Sequence, residues 1–150
     1  MGGDKYKTRV QLTNELALTR HKSEEYATLL EKSNDGIIVL QDSLVKFANS
    51  KAAEITGFAT DELLGKPFID FVAPEYRELV MERYRKRLAG EKTPSKYEMG
   101  LINKDGSVIS VEVNACLIDY DGKPATLSMV RDITERKQFE EALREGKELL

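Results

Sequence analysis

Two arginines carry the clearest chemistry in this chain. Arg83 and Arg87 stand four residues apart in the stretch from Pro74 to Ala89, one turn of a helix if that stretch is helical. Tyr76, Val80, Tyr84 and Leu88 recur at the same spacing, so the two guanidiniums lie near the middle or edge of an apolar face. An arginine so placed has two outcomes. It snorkels to water or pairs with a nearby acid, the commoner result. Or it points into a pocket and grips an anionic ligand with its planar fork of donors. Both stay open at this stage.

Other chemistry is sparse. His21 is the single histidine, flanked by Arg20 and Lys22, and reads as a solvated helix-surface residue. A phosphoacceptor role would ask for a second helix with a matching acidic site. Cys116 is the single cysteine, which rules out an intramolecular disulfide and fits a reducing, cytoplasmic compartment. One His and one Cys do not make a metal site. There is no Gly-x-x-x-x-Gly-Lys loop, no Gly-x-Ser-x-Gly and no histidine to complete a triad, so a small-molecule enzyme is the weakest reading. Asp61 and Glu62 are explained by a helix start. The basic run Arg83, Lys86, Arg87 is interleaved with Glu78 and Glu82, which describes a solvated face better than a nucleic-acid surface. The net charge of −3 adds no argument for nucleic acid or an anionic membrane, and no apolar run reaches membrane-span length.

These residues must be held by elements that the pattern lays out in order. Residues 5–32 contain no Pro or Gly and read as one helix, with a four-three seam through Leu12, Leu16, Thr19, Ser23, Tyr26 and Leu30. Ser33-Asn34-Asp35-Gly36 breaks it. Ile37 to Leu40 and Leu44 to Ala48 form a hairpin across Asp42-Ser43. Asn49 caps a short helix from Ser50 to Thr56, closed by Gly57, with Phe58 placed for the accompanying apolar contact. Thr60 opens a single turn that Gly65 closes. Phe68, Ile69, Phe71 and Val72 mark a short buried element. Pro74 begins the arginine-bearing helix, expected to run to about Ala89.

Three strands follow. Ser95 to Ile102 puts Tyr97, Met99 and Leu101 on one face. Val108 to Ile118 sends Ile109, Val111, Val113, Ala115 and Leu117 one way and Glu112, Asn114 and Cys116 the other. That makes Cys116 an inert or helix-packed thiol. Thr126 to Arg131 places Leu127 and Met129 together and Val130 opposite. Asp132 then resembles a helix cap paired with Glu135, with Thr134 as a second possible cap, before an unbroken run to Leu150. Phe139, Leu143, Gly146 and Leu150 fall on an a/d seam that breaks off in mid-pattern, as in a piece of a longer protein. Strands joined by hairpins and segregated from helices give an α+β fold with an antiparallel sheet.

The stretch from about Leu29 to Lys137 resembles a PAS domain with its C-terminal motif. The resemblance is carried by Ser33-Asn34-Asp35-Gly36-Ile37, Phe47-Ala48-Asn49-Ser50-Lys51-Ala52-Ala53, Thr56-Gly57-Phe58, Glu62-Leu63-Leu64-Gly65-Lys66, Lys104-Asp105-Gly106-Ser107 and Arg131-Asp132-Ile133-Thr134-Glu135-Arg136-Lys137. Each is weak alone; together and in this order they are specific. The resemblance implies a five-stranded antiparallel sheet of order 2-1-5-4-3, helices over one face, and a possible small-molecule cavity between them. It divides the chain into an N-terminal helix (1–32), the PAS domain (33–134) and a connector helix (135–150).

The family's usual role is sensing or dimerisation inside histidine kinases and other regulators. The chain is thus expected to pass a signal through Asp132, Ile133 and Thr134 to a downstream PAS or kinase output domain. Its ligand pocket would be lined by Phe47, Phe68, Phe71, Tyr84, Arg87, Met99 and Met129. A weak homodimer through the 5–32 helix is expected, and a ligand-free dimerisation scaffold is the alternative. Haem-binding members use a histidine on the long helix, and light-sensing flavin members a cysteine in Gly-x-Asn-Cys; Pro74–Ala89 and Pro67–Phe71 have neither. A ligand held without a covalent bond stays open.

Overall fold

The structure is a computed structural model, and it describes residues 32–146. The helix expected over 5–32, its seam and His21 lie outside the described residues, as does Leu150 at the far end. From Asn34 onward the chain forms one unit. Its strands are β1 (Gly36–Gln41), β2 (Leu44–Ala48), β3 (Lys96–Ile102), β4 (Val108–Tyr120) and β5 (Lys123–Asp132). They pair in the order β2-β1-β5-β4-β3, every pair antiparallel, as the resemblance implied. Between β2 and β3 come α1 (Ser50–Thr56), α2 (Thr60–Leu63), two 3-10 turns (Phe68–Phe71 and Pro74–Tyr76) and α3 (Arg77–Leu88); α4 (Thr134–Arg144) follows β5.

Local chemistry accounts for the connections. Two-residue hairpins need positive φ at both central positions to match strand twist. Asp42 and Ser43 supply 56° and 63°, and Asp121 and Gly122 supply 52° and 78°. Asn49 does more than cap α1. Its Oδ1 accepts from the N–H of Ala52 and from that of Ile37, each at 2.9 Å, while Nδ2 donates to the Asp35 carbonyl at 3.1 Å. One wholly buried amide therefore ties the start of β1 to the start of α1. The connecting segments touch both sheet edges: the Val45 N–H donates to the Lys66 carbonyl and the Ala73 N–H to that of Gly100.

The core lies between one sheet face and the helices. It gathers Leu40, Val45, Ile55, Leu63, Val80 and Val111 among others. Two expectations are corrected here, and one feature is new. The helix from Pro74 to Ala89 is two pieces, because Pro74–Tyr76 is a 3-10 turn that feeds α3. Proline at its first position lacks an N–H, and the tighter turn spends that end before the α-helical ladder begins. Cys116 is exposed rather than packed under a helix. And β2 carries a bulge: Val39 faces Phe47 but Leu40 faces Val45, so Lys46 has no partner.

Candidate ligand cavity and its link to the C-terminal helix

A cavity sits between the sheet, α3 and the Phe68–Phe71 turn. Its walls are almost wholly apolar, with Phe68, Phe71, Val80, Tyr84, Met99 and Val113 prominent. The space open to the centre of a water-sized sphere is ≈ 80 Å³, several times what one water needs. The aromatic side is fixed by contacts that leave the rings few alternatives. Phe68 packs on Tyr84 with centroids 4.8 Å apart, and the Tyr84 hydroxyl accepts from the Ser43 N–H at 3.0 Å. Phe71 meets Phe58 edge-on at 5.1 Å, so the apolar residue after Gly57 holds this lining aromatic in place.

A few polar side chains also line the cavity. Arg87 lines it at 8% exposure and donates from Nη2 to the Pro94 carbonyl. No carboxylate pairs with Arg87 among the described residues. Arg83, one turn earlier, lies with its guanidinium carbon 4.8 Å from the Tyr97 ring centre, and its buried Nη1 has no hydrogen-bond partner. Burial holds the Tyr97 hydroxyl above its ordinary pKa, against the pull of the Arg87 and Arg83 charges. Thr126 and Ser128 enter the same wall from β5. Ser128 stands opposite Ala115, whose N–H donates to Ser95, the residue after Pro94. Thr126 is 2% exposed, and its Oγ1 has no partner either.

The strand that forms this wall continues into α4. Val130, the next inward residue of β5, also lines the cavity. Two residues separate it from Ile133, which is 3% exposed and donates its N–H to the Ser110 carbonyl at 3.0 Å. Asp132 Oδ1 accepts from the Thr134 N–H at 2.8 Å. It therefore satisfies the first orphan amide of the helix, as the cap reading expects. The residue in the cap position is Ile133, however, and Glu135 makes no reciprocal bond, so the capping box is replaced by a two-residue Asp turn. Arg136 and Lys137 then clip α4 to the outer sheet face. Both reach Glu98 at 2.6 Å, and Arg136 also reaches Glu112 at 3.6 Å. The Lys137 ammonium, then the Arg136 charge, holds the Glu98 carboxyl below its usual range.

Of the seven residues expected at the pocket, the fold brings five together: Phe68, Phe71, Tyr84, Arg87 and Met99. Phe47 and Met129 are corrected. The bulge at Lys46 restarts the alternation, so Phe47 shares a face with Val39 while Val45 turns inward beside Leu40. On β5 it is Val130 that faces the core, which sends Met129, 39% exposed, to the other side. Thr126 and Ser128 were missed for the same reason. Counting back by twos from a buried Val130 would have found both.

The model of the PAS fold family matches residues 24–133. The chain belongs to the PAS family. This PAS domain is 30% identical over 128 residues to the methyl sulfide methyltransferase-associated sensor of Methanosarcina acetivorans, covering 83% of this chain and 12% of that protein. It is 25% identical over 136 residues to sporulation kinase A of Bacillus subtilis, covering 87% of this chain and 22% of that one. The chain thus spans less than a quarter of the length of these relatives. Among solved structures it resembles the PAS domain of an HTR-like protein from Haloarcula marismortui, with a TM-score of 0.62 and 26% identity over 81% of this chain and 99% of that one. The fold alone is shared with a PAS domain from a two-component sensor histidine kinase, at a TM-score of 0.62 and 14% identity over 76% and 98% of the two chains. No helix among the described residues is long and apolar enough to cross a membrane.

Proposed function

We propose that this PAS domain is a sensory module that binds a small ligand in the cavity behind β5. It passes the resulting change through Asp132, Ile133 and Thr134 to α4, and so to an output domain of the kinase or regulator type in a longer cytoplasmic protein. One observation carries the reading. Three residues of β5, Thr126, Ser128 and Val130, line the cavity, and the same strand runs without a loop into Ile133 and α4. A shift of that wall has no slack to absorb it before the helix. A ligand acts here only through differential contact with two positions of the strand, and Thr126 and Ser128 offer such contact from the strand itself. A ligand-free scaffold would ask for a filled core, and the open space behind β5 speaks against it.

The test is a filled cavity. Ala115→Leu adds bulk to a wall residue that is 4% exposed. Amide hydrogen exchange is then compared along β5 and α4. A changed protection that extends through Thr134 into α4 is the expected result. A change confined to the cavity wall, with α4 untouched, removes the transmission role.

A further inference from the structure

We infer that the ligand of this cavity is a small organic acid, with its carboxylate on Arg87 and Thr126 and its apolar body among Phe68, Tyr84 and Met99. The inference rests on the small-ligand reading above and names the ligand's chemistry.

The first argument is charge. Arg87 is 8% exposed and lines an apolar space, yet its one hydrogen bond goes to the neutral Pro94 carbonyl. A guanidinium has five N–H donors, cannot lose its charge, and is costly to bury without a counter-ion. No carboxylate among the described residues pairs with Arg87. Glu82 pairs with Lys86, and Glu112 with Lys96 and Arg136. One turn away, the buried Nη1 of Arg83 is also without a hydrogen-bond partner, which adds to the positive potential at this end of α3.

The second argument is independent of charge. Thr126 is buried to 2% exposure on the cavity wall, and its hydroxyl makes no bond within the protein. A buried orphan hydroxyl costs free energy unless something accepts its hydrogen. A carboxylate oxygen does so, and can take a second bond from a guanidinium at the same time. The remaining wall asks for the opposite chemistry: Phe68, Met99 and Val113 have no groups to satisfy the several hydroxyls of a sugar or a highly charged anion. The free space of ≈ 80 Å³ limits the body to a short branched, linear or single-ring group.

The experiment uses the protein at neutral pH, isotopically labelled, with benzoate and hexanoate as probes and benzamide and hexanamide as their uncharged matches. Amide shifts of Ala115, Thr126 and Ser128 report binding. The expected result is saturable shifts with at least one acid and at least tenfold weaker binding of its amide. Arg87→Leu should weaken the acid about tenfold or more and bring acid and amide level. Thr126→Val, nearly isosteric, should weaken the acid severalfold with the fold intact, so a folding defect in the arginine variant does not decide the matter. Equal binding of acid and amide, untouched by either substitution, overturns the acid assignment and leaves the cavity a ligand site. No shift with any of the four probes overturns the acid assignment and the ligand reading together.

Discussion

Asp132→Ala and Ile133→Ala, compared side by side, should separate a helix cap from a helix anchor. Asp132 is exposed and gives α4 one acceptor, for the Thr134 N–H at 2.8 Å. Losing such a bond costs about 1 kcal/mol, within a range of roughly 0.5–2. Water can replace the lost oxygen here, so the low half of that range applies. Ile133 is 3% exposed, and truncating it removes most of a buried aliphatic side chain. That costs about 2–5 kcal/mol, depending on how far the site collapses. A domain of this size has about 5–15 kcal/mol in total, so the first change leaves the sheet folded and the second threatens it. Urea titration gives both numbers, with the slope compared to check that unfolding stays cooperative. Exchange at the Thr134 amide gives the local one: it should rise in Asp132→Ala while β5 amides stay protected. In a longer chain with its output domain, Asp132→Ala should then blunt the response to stimulus at near-normal stability. An Asp132→Ala cost equal to that of Ile133→Ala, or an unchanged Thr134 amide, would refute this division of labour. Normal switching in the longer chain would leave Asp132 as a cap and nothing more.

Asn49→Ala should cost more than an ordinary cap, about 3 kcal/mol or above, because two buried N–H groups, of Ile37 and Ala52, lose their acceptor; a urea midpoint consistent with about 1 kcal/mol would show that the Ile37 bond is incidental. Glu98 is an acid whose folded pKa lies below its unfolded one, so its stabilisation is complete above the ordinary carboxylate range and is lost as pH falls through the lowered value. Melting temperatures between pH 6 and pH 3 should therefore fall more steeply for wild type than for Glu98→Gln, and parallel curves would show the clip to α4 to be idle. The expected homodimer should be weak, of micromolar order, and sedimentation of a chain starting near Glu31 should yield a monomer; a surviving dimer would move the interface onto the described domain.

Much of this architecture was legible because its turns are chemically loud. Asp42-Ser43, Asn49, Gly57, Asp105-Gly106 and Asp121-Gly122 mark ends that few other residue types could form, and between them the alternation of β3 and β4 gave the right inward face. The cavity was legible only in part. Phe68, Tyr84 and Met99 follow from local pattern, but the direction of Phe47 depends on an unpaired Lys46, and a bulge leaves no fixed mark in sequence. Met129 was misplaced by hydrophobicity itself: on a strand with apolar residues on both faces, pattern alone does not say which face is core. Thr126 and Ser128 follow from the same choice of phase, since taking Met129 as inward turns both of them outward. The arginines could be read two ways, and where Arg87 goes, to the Pro94 carbonyl at the cavity wall, depends on a loop outside its own helix.

Glu98 and Glu112 stand directly opposite each other on β3 and β4. Like charges in such a pair oppose strand pairing, and here Arg136 and Lys137 of α4 lie against them, with Lys96 beside Glu112. Lifting α4 would therefore loosen the edge of the sheet as well as free the helix. That edge is β3, which carries Tyr97 and Met99 into the cavity. Thermodynamic reciprocity runs the same route backwards: whatever draws β3 closer to β4 from within makes the helix harder to lift. In the proposed sensory role the rim would thus add a second line of communication to that of the central strand. Because Glu98, Arg136 and Lys137 are exposed, added salt should mute it while leaving the proposed β5 route unaffected.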